Sequence, residues 1–169
     1  SFMVHVGDIV GYAYDSAGWQ HFHYAAQPLI DKMPIMAALG RYDGGQKMDV
    51  YNQHFLTRFN YQTLGYEGAS TTASHSIYSF EYGDALFIDL NSKAINNDLK
   101  NEWNQFIKQK SAETQKKWKI LINNVSPYSP GGSYLLDNEK GKIITDAGID
   151  LVLSGYECTY YRTTLHTTG

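Results

Sequence analysis

Gly148-Ile149-Asp150-Leu151-Val152-Leu153-Ser154-Gly155-Tyr156-Glu157-Cys158 is the stretch whose reading decides the fold. An apolar run of strand length, Asp150 to Leu153, stops at Ser154-Gly155, and a polar turn follows at once. The same arrangement recurs upstream. Phe2 to Val6 runs into Gly7-Asp8, Ile35 to Leu39 into Gly40-Arg41-Tyr42-Asp43, and Trp118 to Ile122 into Asn123-Asn124. In open α/β sheets, residues just past the carboxyl ends of strands converge on one crevice, where sites are built. The four turns therefore predict one composite site on an α/β scaffold.

The segments between these runs read as helices and a hairpin. Ser16 is placed to cap a helix over about Ala17 to Lys32, with Trp19, Phe22, Ala26 and Leu29/Ile30 on one face, and Pro34 stops it. Lys47 to Phe59 reads as a helix with Val50, Phe55 and Phe59 inward, followed by a Gly/Ser/Thr-rich loop from Gly65 to Ser74. Ser76 to Tyr82 and Ala85 to Asn91 form two strands around the turn Gly83-Asp84. Asn97 to about Ser111 is amphipathic, with Leu99, Trp103, Phe106 and Ile107 inside. A Pro/Gly/Ser loop over Tyr128 to Asn138 precedes a short helix near Lys140 to Ala147, and Tyr160 to Thr164 reads as one further strand. Residues 1–169 form a single layered domain with no internal linker or repeat.

Composition excludes several classes. The 169 residues carry a net charge of −3 and no Lys/Arg stripe, which argues against a nucleic-acid partner. The basic cluster Lys116, Lys117 and Lys119 around Trp118 reads as a solvated helix-to-strand connection. No apolar run reaches the roughly 20 residues needed to span a bilayer. The single cysteine, Cys158, leaves no internal disulfide to form and does not fix the compartment.

The residues carry a more specific resemblance. Val4-His5-Val6-Gly7-Asp8 resembles the GD motif of the metallophosphoesterases, and Pro34 to Asp43 resembles their strand leading into GNH[DE]. Tyr78 to Leu90 is similar to the YSFxYGxxxFixL hairpin of bacterial purple-acid-phosphatase-like members, and Trp118 to Ser129 to the strand into HxxPYS. Gly148 to Thr163 resembles GvDLVLSGHxHtYeRT, and all these matches occur in family order. The chain thus looks like a calcineurin-like metallophosphoesterase of the purple-acid-phosphatase-like kind. The resemblance implies a β-sandwich flanked by helices and truncated at both ends, the earliest ligand strand lying before Ser1 and the final strands beyond Gly169.

In that family, two divalent or trivalent metals (iron, zinc or manganese) lower the pKa of a shared water and clamp the phosphoryl oxygens. Here the resemblance leaves Asp8, the bridging aspartate, as the intact ligand. The motif asparagine falls on Arg41, a permanent cation that repels a metal, and the motif histidine that orients the phosphate falls on Tyr42, with Asp43 after it. The HxxPYS histidine falls on Asn124, and the two GHxH histidines fall on Tyr156 and Cys158. His5, His21, His23, His54, His75 and His166 are scattered, and none stands at a motif position.

The resulting expectation is a phosphoesterase-family domain with a largely replaced metal site, catalytically inactive and without a cofactor. Three alternatives stay open. One is a live hydrolase using a rearranged set of Asp8, Asp43, Asn124 and Cys158. Another is a scaffold that binds a protein partner or an anion such as phosphate in the old groove, with Arg41 and Tyr42 as the anion contacts. The third is a redesigned chain, since the replacements concentrate at ligand positions within a preserved framework. Missing terminal strands would leave sheet edges open to association. Relatives are often secreted or displayed at the cell surface, which leaves the location of this chain open.

Overall fold

Phe2, Val4 and Val6 alternate along the first strand region, so period-2 geometry puts them on one face. They pack there on Ala85, Phe87, Ile120 and Ile122 of a second sheet. The structure, a computed structural model, describes residues 1–44, 55, 57–59, 61, 76–91, 97–126 and 138–160. Its elements in chain order are β1 (Met3–His5), α1 (Ser16–Ile30), β2 (Ile35–Ala37), β3 (Tyr78–Tyr82), β4 (Ala85–Leu90), α2 (Asn97–Glu113), β5 (Trp118–Val125), α3 (Asn138–Asp146) and β6 (Leu151–Gly155).

β1 and β2 pair in parallel as a two-stranded sheet, and the four-stranded sheet has the order β3-β4-β5-β6. β3 and β4 are the antiparallel hairpin that Gly83-Asp84 foretells, with Tyr82 opposite Ala85 and Gly83 at φ 57°. The β4–β5 and β5–β6 pairs are parallel. Parallel neighbours need a crossover, and α1, α2 and α3 lie in the connections that supply it.

Each sheet turns its other face to helices. α1 inserts Trp19 and Phe22 into a cluster with Met36, Ala37 and Leu39. On the far side, Leu86, Ile88 and Leu121 meet Trp103, Phe106 and Ile107 of α2 and Ile143 and Ile144 of α3. The outcome is the expected layered α/β sandwich, helix–sheet–sheet–helix. Burial of each such aromatic or aliphatic side chain is worth roughly 1.5–3 kcal/mol, so these clusters supply the main force holding the layers.

Several boundaries differ from the sequence reading for local reasons. The helix cap is Asp15, not Ser16: the Asp15 side chain accepts from Gly18 N, at 3.0 Å. α1 ends at Ile30, before the expected Lys32, and contains Pro28 in its last turn. A proline there lacks the N–H that would bond four residues back, so the helix runs on for only two more residues. Leu29 is 48% exposed and does not belong to the inner face. β5 runs on to Val125 because Asn123 and Val125 still pair with Ser154 and Gly155 of β6, with Asn124 at a register shift between them. Tyr160 is not in a strand. Phe55 is helical and, with Phe59, buried as expected, but Thr57 and Arg58 form a turn and Phe59 is irregular, so the expected helix does not reach Phe59; residues 47–54 and 56, the Gly65–Ser74 loop, residues 128–137 and Tyr161–Thr164 lie outside the described residues. No helix among the described residues is long and apolar enough to cross a membrane.

One tertiary feature aims β2. Among the described residues, its edge away from β1 is met by tyrosine hydroxyls and by no strand. Ala37 N donates to Tyr61 OH at 2.9 Å, Tyr61 OH donates to Ile35 O at 2.7 Å, and Tyr78 OH donates to Ala37 O at 3.1 Å. The two rings stack 4.1 Å apart. Backbone groups that would otherwise be orphaned are thereby paired, and β2 is fixed just before it delivers Gly40 to Asp43.

Candidate functional site

The ends of β1, β2, β5 and β6 meet through backbone contacts too close for side chains. A Cβ on Gly40 would lie 2.1 Å from Asp8 N, and one on Gly7 would lie 2.7 Å from Gly40 Cα and 2.8 Å from Asn124 Nδ2. Only glycine fits at such separations. At Gly155 a Cβ would come 2.8 Å from Val6 Cγ2, so β6 ends against the residue that follows β1. The non-glycine residues with positive φ among the described residues are Asp8 (57°), Tyr156 (67°) and Cys158 (51°). All three stand at positions that the resemblance matches to metal ligands. Left-handed backbone is costly for bulky residues and clusters at functional sites, and here it gathers at the ends of β1 and β6.

Hydrogen bonds then join the turns. Asp8 Oδ1 accepts from Tyr42 N at 2.9 Å, and Asp8 Oδ2 accepts from Asn124 Nδ2 at 3.1 Å. The same Asn124 Nδ2 donates to Val6 O at 2.8 Å, and Asn124 Oδ1 accepts from Arg41 N at 3.1 Å. The Arg41 side chain turns to β6: its Nη1 donates to Tyr156 OH, and its guanidinium carbon lies 5.5 Å from the centre of the Tyr156 ring. Neither Asp8 nor Asp43 is a recorded partner of the guanidinium, although charge alone would favour both.

Asp43 does something else. Fully buried, it accepts from Val10 N and Gly40 N, both at 3.0 Å, and so ties the turn after β1 to the turn after β2. Burial pushes its carboxyl up to about 6, helped by the Asp8 charge and opposed by the N–H groups of Val10, Gly40 and Ile9. Cys158 is exposed, and its recorded contact is a 3.5 Å approach of Sγ to Tyr156 O, not to Asn124 or Asp8. Tyr42 is 46% exposed, its N–H serving Asp8 while the ring faces outward.

Asp8, Arg41, Tyr42, Asn124 and Tyr156 are thus brought together, Asp43 braces them from below, and Cys158 stands at the margin. The Arg41–Tyr156 partnership was missed in the sequence reading. Its signal was a cation at one matched ligand position and an aromatic hydroxyl at another. His5, which stands at no motif position, sits near Asp8, edge-on to Phe22 at 6.0 Å, and burial holds its imidazole below the usual range.

This donor set does not fit a pair of metal ions as it is arranged. Both oxygens of Asp8, both of Asp43 and Asn124 Oδ1 face N–H donors, and the Arg41 cation sits where the resemblance puts a metal ligand. Among the described residues no group of three or more His, Cys, Asp or Glu is placed to hold a metal ion.

No protein-family model matches the chain, and no curated protein matches it. A solved structure does. A purple acid phosphatase isolated from yellow lupin (Lupinus luteus) seeds superposes with a TM-score of 0.60 at 17% identity, over 92% of this chain and 30% of that one. The fold is metallophosphoesterase-like. At this identity the likeness concerns the fold, and the chain spans under a third of the length of the lupin protein.

Proposed function

We propose that this chain is a metal-independent, non-hydrolysing variant of the metallophosphoesterase scaffold, and that its groove binds a small oxyanion of the phosphate class. The observation that carries the reading is Asn124. Its amide N–H groups point at Asp8 and Val6 O, so a neutral hydrogen-bond donor serves the carboxyl that would otherwise bridge a metal pair.

Hydrolysis in this fold class needs an activated water and charge stabilisation by the metals. Nothing in the Asp8–Asn124–Arg41–Tyr156 network lowers the pKa of a water, and the amide of Asn124 neither donates nor withdraws a proton near neutral pH. Recognition is a lighter demand. Arg41 has five N–H donors in a planar fork, and one of its nitrogens is engaged by Tyr156. The contact is exposed, and a guanidinium beside a tyrosine hydroxyl is a donor set that suits phosphate or sulfate.

Hydrolysis of an aryl phosphate in the presence of added manganese, zinc or iron tests this reading. The expected result is no turnover above the metal-only control. Metal-dependent turnover that disappears in Asp8→Ala would overturn it.

A further inference from the structure

Asp89 is a buried titratable group without a hydrogen-bond partner. It lies on β4, fully buried, opposite Tyr78 on β3 and Ile122 on β5. Neither carboxyl oxygen has a hydrogen-bond partner. The group facing it is the Tyr78 hydroxyl, whose single proton is already committed to Ala37 O at 3.1 Å. Tyr61, stacked on Tyr78, has likewise spent its proton on Ile35 O. Among the described residues, Tyr78 and Tyr61 are the titratable groups that interact with Asp89, and no lysine, arginine or histidine offsets its charge.

The two protonation states of Asp89 ask for different arrangements. As a neutral acid it is a donor and can give its own proton to the Tyr78 oxygen, leaving the Tyr78 proton on Ala37 O. As a carboxylate it is acceptor-only. The nearest proton it could then accept is that of Tyr78, which has to leave Ala37 O and strand a buried carbonyl. We infer that the Tyr78 hydroxyl is a two-position latch between the sheets, resting on Ala37 O while Asp89 carries its proton and turning to Asp89 when that proton passes to solvent base.

The consequence falls on the site. Ala37 O belongs to the β2 edge, three residues before Gly40, and β2 has no strand on that side among the described residues. Turning the latch removes one of the hydroxyl ties on this edge and leaves Tyr61 to hold it. The turn from Gly40 to Asp43 is thereby loosened from the four-stranded sheet. Burial, which holds the Asp89 carboxyl well above the usual carboxylate range, favours the closed latch. The inference stands whichever ligand the groove takes, because no site residue contributes to it.

Infrared difference spectra between the native protein and Asp89→Asn, paired with amide exchange, test it. At neutral pH the native protein should show a protonated-carboxyl band that the variant lacks. On raising the pH the band should bleach, and the Ala38 to Gly40 amides should lose about tenfold in protection relative to Asp89→Asn at the same pH, the scale of one buried hydrogen bond. No such band at neutral pH, or equal protection in both proteins across the titration, would overturn the latch. Should Asp89→Asn fail to fold, Tyr78→Phe serves: it keeps the carboxyl proton but has no hydroxyl to turn, so its protection should not respond to the bleaching. A response equal to that of the native protein would contradict the inference.

Discussion

Asn124 Nδ2 lies 3.1 Å from Asp8 Oδ2 and 2.8 Å from Val6 O, so one side-chain amide ties the end of β5 to the turn after β1. Its oxygen takes Arg41 N at 3.1 Å and adds the turn after β2. Three strand ends therefore hang on one residue. Asn124→Ala leaves the Val6 carbonyl, the Asp8 carboxyl and the Arg41 N–H without this partner. Each buried polar group so stranded costs about 1–3 kcal/mol. Chemical denaturation should show at least the loss of one such group, while Asn124→Asp, which sets a second carboxyl beside Asp8, should be less stable still.

Gly40 offers the sharpest steric prediction. Its missing Cβ is what lets Asp8 N approach to 2.1 Å of that position, with Asp8 Oδ1 at 2.5 Å and Asp43 Oδ2 at 2.9 Å. Gly40→Ala must therefore push the turns apart and break the Asp43 ties, and several kcal/mol or outright failure to fold is expected. Gly11, where nothing lies within 4 Å of the added carbon, is the control, and Gly11→Ala should fall within about 0.5 kcal/mol of the native protein.

Stability should fall as pH rises out of the acid range. Asp43 has a folded value of about 6 against an ordinary 3.8, and Asp89 is held well above its ordinary value, in both cases first by burial. Between those values the folded protein binds more protons than the unfolded chain. The contribution is therefore fully present below the unfolded pKa and is lost as pH climbs through the folded one. Each such group gives a slope of about 1.4 kcal/mol per pH unit while its proton is in play. Denaturant midpoints measured across this window check the sign, and a midpoint that rises with pH would contradict the two buried carboxyls.

Arg41 carries the anion contact in the proposed function. Titration with inorganic phosphate should show binding to the native protein that weakens by about tenfold or more in Arg41→Ala, the worth of a charge-assisted hydrogen bond. Tyr156→Phe keeps the ring beneath the guanidinium and should lose less. Folding stability should change little in either variant, since the pair is at the surface. Equal phosphate affinity in native protein and Arg41→Ala would end the anion reading.

The layered fold was legible because each strand end repeats one local pattern: an apolar run, then a glycine or asparagine, then polar residues. Val4 to Asp8 and Leu151 to Tyr156 show it most plainly, and both close on the same crevice through Val6 and Gly155. The positions of Asp8, Arg41, Asn124 and Tyr156 were legible for the same reason. Their partnerships were not. Arg41 has two carboxylates close in sequence or motif order, yet its recorded partner is Tyr156, 115 residues away. That choice follows from Asp8 and Asp43 already being supplied with N–H donors, which only the folded backbone reveals. The cap at Asp15 was missed because Ser16 is an equally good capping residue, and which of the two accepts from Gly18 is decided by where the turn after Tyr12 ends. Tyr61 and Asp89 left no local trace: the first closes the β2 edge from 24 residues away, and the second sits in an apolar strand where a carboxyl runs against the pattern.

The most direct measurement of the central claim is the metal content of the protein after exposure to excess zinc, manganese and iron, followed by removal of free ions. A site whose carboxyl and amide oxygens already face N–H donors, beside the Arg41 cation, should retain far less than one ion per chain. Two ions per chain, lost together in Asp8→Ala, would contradict the account.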